Sequence, residues 1–147
     1  GLFSILLCLR LTSMQKYKIN RSRHAAFLLH VHLVFVTKYR RKILGERHYA
    51  AFHQYAGEIC RDFRAELKES HGDLDHVHML IEYPPTVQLS VLVNSLKAVT
   101  SRRLRNEFLD LREAYGKAVL WSRSYFAGSC GGAPLEMVKQ YIQHQRG

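Results

Sequence analysis

A chain of 147 residues with 47% hydrophobic content is the size of one globular domain, with enough apolar mass for a core that needs no staples. Its 22 Lys and Arg against 12 Asp and Glu leave a formal charge of +10, which favours a polyanionic partner, nucleic acid foremost. Cys8, Cys60 and Cys130 are odd in number, widely separated and form no C-x-x-C pair, which suggests neither a disulfide framework nor a zinc knuckle and fits a reducing cytoplasm.

The opening stretch "GLFSILLCLRLTS", residues 1–13, is too short for a membrane span and lacks the basic front and cleavage site of a secretory signal. It reads as an extension outside the fold, with Met14 the expected natural start and residues 14–147 forming a single domain. Residues 28–37, "LLHVHLVFVT", are rich in β-branched and aromatic side chains and stop at the basic turn "KYRRK", as a buried central strand would. Phe52, Ala56, Ile59 and Cys60 then recur at helical spacing, predicting an amphipathic helix over 47–61. Phe63, Ala65 and Leu67 could continue the helical stripe, yet they also alternate with charged residues, and the preferred reading is a half-exposed strand over 63–69 that turns at "HGD". Residues 75–83 form the next strand of that hairpin, ended by Pro84 and Pro85, which cannot donate to a ladder.

From Gln88 to Phe108, Leu89, Leu92, Val93, Leu96, Val99 and Leu104 share a helical face, while Lys97, Arg102, Arg103 and Arg105 make the other side basic. Residues 118–127, "AVLWSRSYFA", predict a fourth strand, and "GSCGGA" a flexible link to a last helix opened by Pro134. The order βαββαβ is the ferredoxin-like plan of the α+β class: an antiparallel sheet with helices on one face, here extended by a C-terminal helix. No basic surface-lying helix stands out and the cations are spread along the chain, so no membrane partner is expected.

In "DHVHMLIEYPP", His76 and His78 are two apart and project from one face of a strand, where they could grip one divalent ion. A lone H-x-H is more often a pair of packing histidines, and His30 and His32 repeat the pattern in the first strand. In "PLEMVKQYIQHQRG", Tyr141 and Gln145 are four apart on a helix and share a face. They suit a nucleophile and an oxygen ligand for Mg²⁺ or Mn²⁺, or equally a packing aromatic and a solvated amide. Spacing leaves both pairs of readings open.

Four blocks in order, "HLVFVTKYRR", "DHVHMLIEYPP", "LVNSLKAVTSRRLR" and "LWSRSYFAGSCGGAPLEMVKQYIQHQ", closely resemble the single-tyrosine HUH transposases of bacterial insertion sequences, the IS200-like family. The resemblance covers residues 28–146. It implies His76, His78 and Gln145 as ligands of Mg²⁺ or Mn²⁺, Tyr141 as nucleophile, and cleavage and rejoining of single-stranded DNA at hairpin-flanked ends through a 5′-phosphotyrosine. It also implies a homodimer with shared sites in the bacterial cytoplasm, close to the nucleoid. Lys38, Arg40, Arg41, Lys97, Arg102 and Arg103 are the phosphate-binding candidates, although any one of them is more often part of a solvated basic face. Ala98 and Thr100 stand where the family usually has Gly and Ser, which bears on DNA contacts rather than on the chemistry. Two rivals are a catalytically silent or domesticated relative that only binds hairpins, and a phosphoesterase that pairs His30 and His32 with His76 and His78. The second is weak, because Val34 and Leu80 occupy the places where a histidine-triad strand carries its next His.

Overall fold

A computed structural model describes residues 28–129 and Gln143. The extension 1–13, the segment 130–142 with Tyr141, and Gln145 lie outside the described residues.

Strand β1, Leu29–Val36, alternates Val31, Leu33 and Phe35 into the core with His30, His32, Val34 and Val36 on the opposite face. Helix α1, Glu46–Asp62, buries Phe52, Tyr55, Ala56, Ile59 and Cys60 against the sheet. Burial lifts the thiol of Cys60 to about 12, which removes it from redox chemistry. The helix ends in a two-bond cap: Ala65 N–H donates to the Cys60 carbonyl at 2.8 Å and Arg64 N–H to that of Arg61 at 3.0 Å. Arg64, at φ 61°, takes the left-handed place usually held by glycine. Phe63 and Ala65 are consumed by this cap, so the strand predicted from 63 starts three residues later; with no Gly to mark the stop, the sequence concealed it.

Strand β2, Glu66–Asp73, pairs antiparallel with β3, His76–Tyr83, around a turn at Leu74 and Asp75 rather than at "HGD". Gly72 lies inside β2 for a packing reason. A Cβ there would stand 2.1 Å from Cδ1 of the Tyr49 ring, which lies against the strand from α1. Helix α2, Leu89–Glu107, buries Leu92, Val93, Leu96 and Leu104 as its periodicity predicts. A short helix α3, Leu109–Tyr115, follows unforeseen; it buries only Leu111 and Tyr115, too few turns for a periodic signal.

The fourth strand is also displaced. Within the predicted 118–127, Trp121 makes an isolated bridge to Thr37, and β4 runs from Phe126 to Ser129. Leu120 and Trp121 are apolar because they plug the core: Trp121 is 1% exposed and its indole N–H donates to Thr100 Oγ1 at 2.9 Å. The sheet order is β2-β3-β1-β4 with every pair antiparallel, the ferredoxin-like arrangement predicted.

Replacing Gly72 by Ala should force the Tyr49 ring off β2 and cost about 1–3 kcal/mol, the usual range for overpacking, read as a fall in the urea midpoint. A second substitution, Tyr49→Ala, should then remove most of the penalty. An unchanged midpoint for Gly72→Ala would show that the ring moves freely.

Candidate active site

On the sheet face opposite the helices, the register sets His71 of β2 beside His78 of β3, and His78 beside Val34 of β1. His32 of β1 is opposite Leu80, one diagonal step away. The rings of His71 and His78 stack at 5.4 Å, and those of His32 and His78 meet at 5.5 Å, so His78 is bracketed by an imidazole on each side. His76 stands 6.3 Å from His78, one strand repeat along.

Their environments differ. His76 Nδ1 lies 2.9 Å from the carboxylate of Asp75, which fixes the ring and leaves Nε2 available. Asp75 also accepts from Nε and Nη2 of Arg40 at 3.3 and 3.2 Å. Burial opposes ionisation of Asp75, but His76 and Arg40 together hold its carboxyl below the ordinary range. Both ring nitrogens of His78 are buried without a hydrogen-bond partner among the described residues, and so are those of His32. Burial lowers His78 to about 2, with the surrounding imidazoles adding to the effect, and His32 to about 4. Both rings are therefore neutral at physiological pH.

A neutral imidazole with free nitrogens beside a carboxylate-braced one is the donor chemistry that suits a divalent ion. His76 and His78 fit such a site. Among the described residues no three His, Cys, Asp or Glu side chains are placed to hold one ion, so the pair is not a complete ligand set by itself. Arg40 makes one more contact: its Nη1 donates to the main-chain carbonyl of Gln143 at 2.6 Å. This places Gln143 beside Arg40, at the Asp75 end of β3.

The family model for IS200-like transposases matches residues 25–145, most of the chain. The chain belongs to the IS200-like transposase family. The transposase of insertion sequence IS200 from Salmonella typhimurium is 30% identical over 122 residues, 83% of this chain and 80% of that protein. The ISDra2 transposase TnpA of Deinococcus radiodurans is 23% identical over 128 residues, 87% of this chain and 91% of the relative. A solved transposase-type structure from Deinococcus radiodurans R1 superposes with a TM-score of 0.78 at 25% identity, covering 87% of this chain and 98% of its own. A REP-associated tyrosine transposase, solved with a REP hairpin, shares the fold at a TM-score of 0.50 and 12% identity, over 85% and 68% of the two chains.

The cations of this transposase fall into two groups. Arg40 is tied to Asp75, Arg41 donates to the Ala114 carbonyl, and Arg103 pairs with Glu58 at 2.6 Å while its guanidinium lies 3.8 Å from the Tyr55 ring centroid. Arg103 thus braces α2 against α1. Lys38 and Lys97, with Arg123, line a cavity of about 430 Å³ beside α2, floored by Trp121 and Ala98. Lys97 donates to the Arg123 carbonyl at 2.7 Å, and partial burial lowers its pKa. Arg102 is exposed. No described helix is long and apolar enough to cross a membrane.

Sequence reasoning missed Asp75 and His71. Asp75 directly precedes the H-x-H, a position from which a carboxylate can reach the first ring, and that adjacency was the available signal. His71 had none, because its place beside His78 depends on the hairpin register. His30, which repeats the H-x-H pattern in β1, makes a hydrogen bond with Glu82 at 2.9 Å.

The histidine shifts fix a pH dependence. For His32 and His78 the folded values, about 4 and about 2, lie below the ordinary 6.5, so between those limits the unfolded chain binds more protons. Their stability contribution is complete above about pH 6.5 and is lost as the pH falls. Thermal melts in EDTA should show Tm dropping from about pH 7 to about pH 5, less steeply in His32→Leu. Parallel curves for the two proteins would remove His32 from the account.

Proposed function

We propose that this transposase cleaves and rejoins single-stranded DNA at hairpin-flanked element ends, forming a 5′-phosphotyrosine at Tyr141 and a free 3′-OH. The observation that carries the reading is His78, buried with both ring nitrogens unpartnered among the described residues, beside a His76 whose ring is braced by Asp75. His76 and His78 would hold Mg²⁺ or Mn²⁺ together with Gln145. The bound ion would supply Lewis-acid polarisation of a phosphate oxygen and stabilise developing charge. Tyr141 Oη forms the new bond to phosphorus, the bond to the 3′ oxygen breaks, and that oxygen leaves with a proton. The bond energy is kept in the phosphotyrosine, so a later 3′-OH reverses the step without ATP.

Asp75 acts on the ring it orients: its carboxylate holds the Nδ1 side of His76 and presents Nε2. Lys38, Arg41, Lys97 and Arg102 supply the positive field along the DNA path, with Arg40 and Arg103 held by carboxylates. Binding should weaken steeply with salt as counterions are released. The protein acts on DNA in the bacterial cytoplasm as a homodimer in which the final helix of one subunit completes the histidine site of the other.

Purified protein, Mg²⁺ and a labelled single strand carrying the element's own hairpin should give a covalent protein–DNA band on a denaturing gel. The band should vanish with EDTA and in Tyr141→Phe. Hairpin binding without a band in either ion would favour the silent, binding-only relative. For the dimer, mixing Tyr141→Phe with His76→Ala subunits should restore one working site. Inactivity of verified mixed dimers, with each parent also inactive, would place helix and histidines in one subunit.

A further inference from the structure

Immediately after β1 the chain makes a tight turn in which Arg40 N–H donates to the Thr37 carbonyl at 2.9 Å. Its third residue, Tyr39, has φ 64° and ψ 13°, and the next, Arg40, has φ 53°. Two consecutive non-glycine residues in the left-handed region are costly, and the third position of a turn with positive φ is ordinarily given to Gly or Asn. The surroundings enforce this conformation. Thr37, fully buried, donates its hydroxyl to the Arg41 carbonyl at 2.8 Å; Lys38 N–H donates to the Leu120 carbonyl at 2.8 Å; Tyr115 donates its hydroxyl to the Lys38 carbonyl at 2.9 Å.

This held turn displays an aromatic ring to solvent. Tyr39 is 63% exposed, so the ring is not there to fill the core. Lys38 Nζ lies 5.6 Å and Arg41 Cζ 5.8 Å from its centroid, and the neighbouring Arg40 is fixed to Asp75, the carboxylate on His76. An exposed aromatic flanked by cations matches the repeating unit of a single strand, a flat base between phosphates.

We propose that Tyr39 is a stacking platform for one unpaired base of the single-stranded segment beside the scissile phosphate, with Lys38 and Arg41 contacting the phosphates on either side of it. The inference rests on the single-strand reading above and assigns to Tyr39 a positioning role: the turn fixes the base, and through Arg40 and Asp75 it does so in a set place relative to His76. The strained backbone is retained because Gly, which would relax it, carries no ring.

The test uses full-length protein and a hairpin with a single-stranded flank in which 2-aminopurine replaces each flanking base in turn, in EDTA so that no cleavage intervenes. One position should show a changed fluorescence on binding that is lost in Tyr39→Gly and kept in Tyr39→Phe. Affinity for the flanked hairpin should fall about 5- to 150-fold in Tyr39→Gly, the range for one stacked base, while the hairpin without a flank binds as before. Tyr39→Gly should also keep or raise Tm, because it relieves the left-handed strain; this separates a lost contact from a damaged fold.

Flanked binding within two-fold of wild type in Tyr39→Gly would overturn the platform and leave the transposase reading intact. An equal loss with and without the flank would also overturn it, assigning Tyr39 to the duplex. Failure of the wild type to bind any flanked hairpin would overturn both readings.

Discussion

Asp75 is the joint on which the arrangement of the site turns. Its main-chain carbonyl accepts from the Thr37 N–H at 2.9 Å, locking the end of β1 to the β2–β3 turn. Its carboxylate meanwhile holds His76 and receives Arg40. One residue therefore couples the backbone register, a histidine orientation and the basic turn. A carboxylate shared between a guanidinium and an imidazole stays ionised in a half-dry setting, and an ionised partner gives the ring a defined tautomer.

The β1–β3 pairing supplies the second constraint. It is central in the sheet, and its alternation divides two chemistries between two faces. Val31, Leu33, Phe35, Val77, Met79 and Ile81 go to the helices, and the histidines go to the other side. A slip of one residue would exchange the faces, burying imidazoles under α1 and α2. The apolar face that stabilises the fold thus also sets the position of the histidines on their strands. That rigidity suits the metal-holding role proposed for His76 and His78, whose geometry would tolerate little drift.

The basic residues show how charge count and charge use part company. A net charge of +10 is a statement about the field around the molecule, and it attracts nucleic acid whatever the individual contacts. Arg103, paired with Glu58 and packed on Tyr55, spends its charge between two helices, and Arg40 spends its own on Asp75 and Gln143. Lys38, Lys97 and Arg123 instead surround one cavity. Helical periodicity places a cation on the outer side of a helix but says nothing of which acid or ring faces it from the next element.

Three elements were legible in the residues themselves because a local pattern specified them. The alternation of "LLHVHLVFVT" and the 3.6-residue stripes of α1 and α2 follow from chain geometry, and the blocks around His76 and Tyr141 carried the family. Boundaries were hidden wherever a residue did an unusual thing: Arg64 in a place for glycine, Gly72 inside a strand under the Tyr49 ring, Leu120 and Trp121 as a core plug read as a strand. The bracketing of His78 by His32 and His71, and the bracing of His76, are pairings across strands and turns, set by register over separations that no local pattern encodes. The sequence by itself determined the net charge that favours a polyanion and the βαββαβ order, and it singled out His76 and His78 as candidates through the family resemblance. Tertiary structure decided which imidazoles are dry, which are braced and which cations remain exposed, because desolvation and partner charge depend on neighbours brought together only by folding.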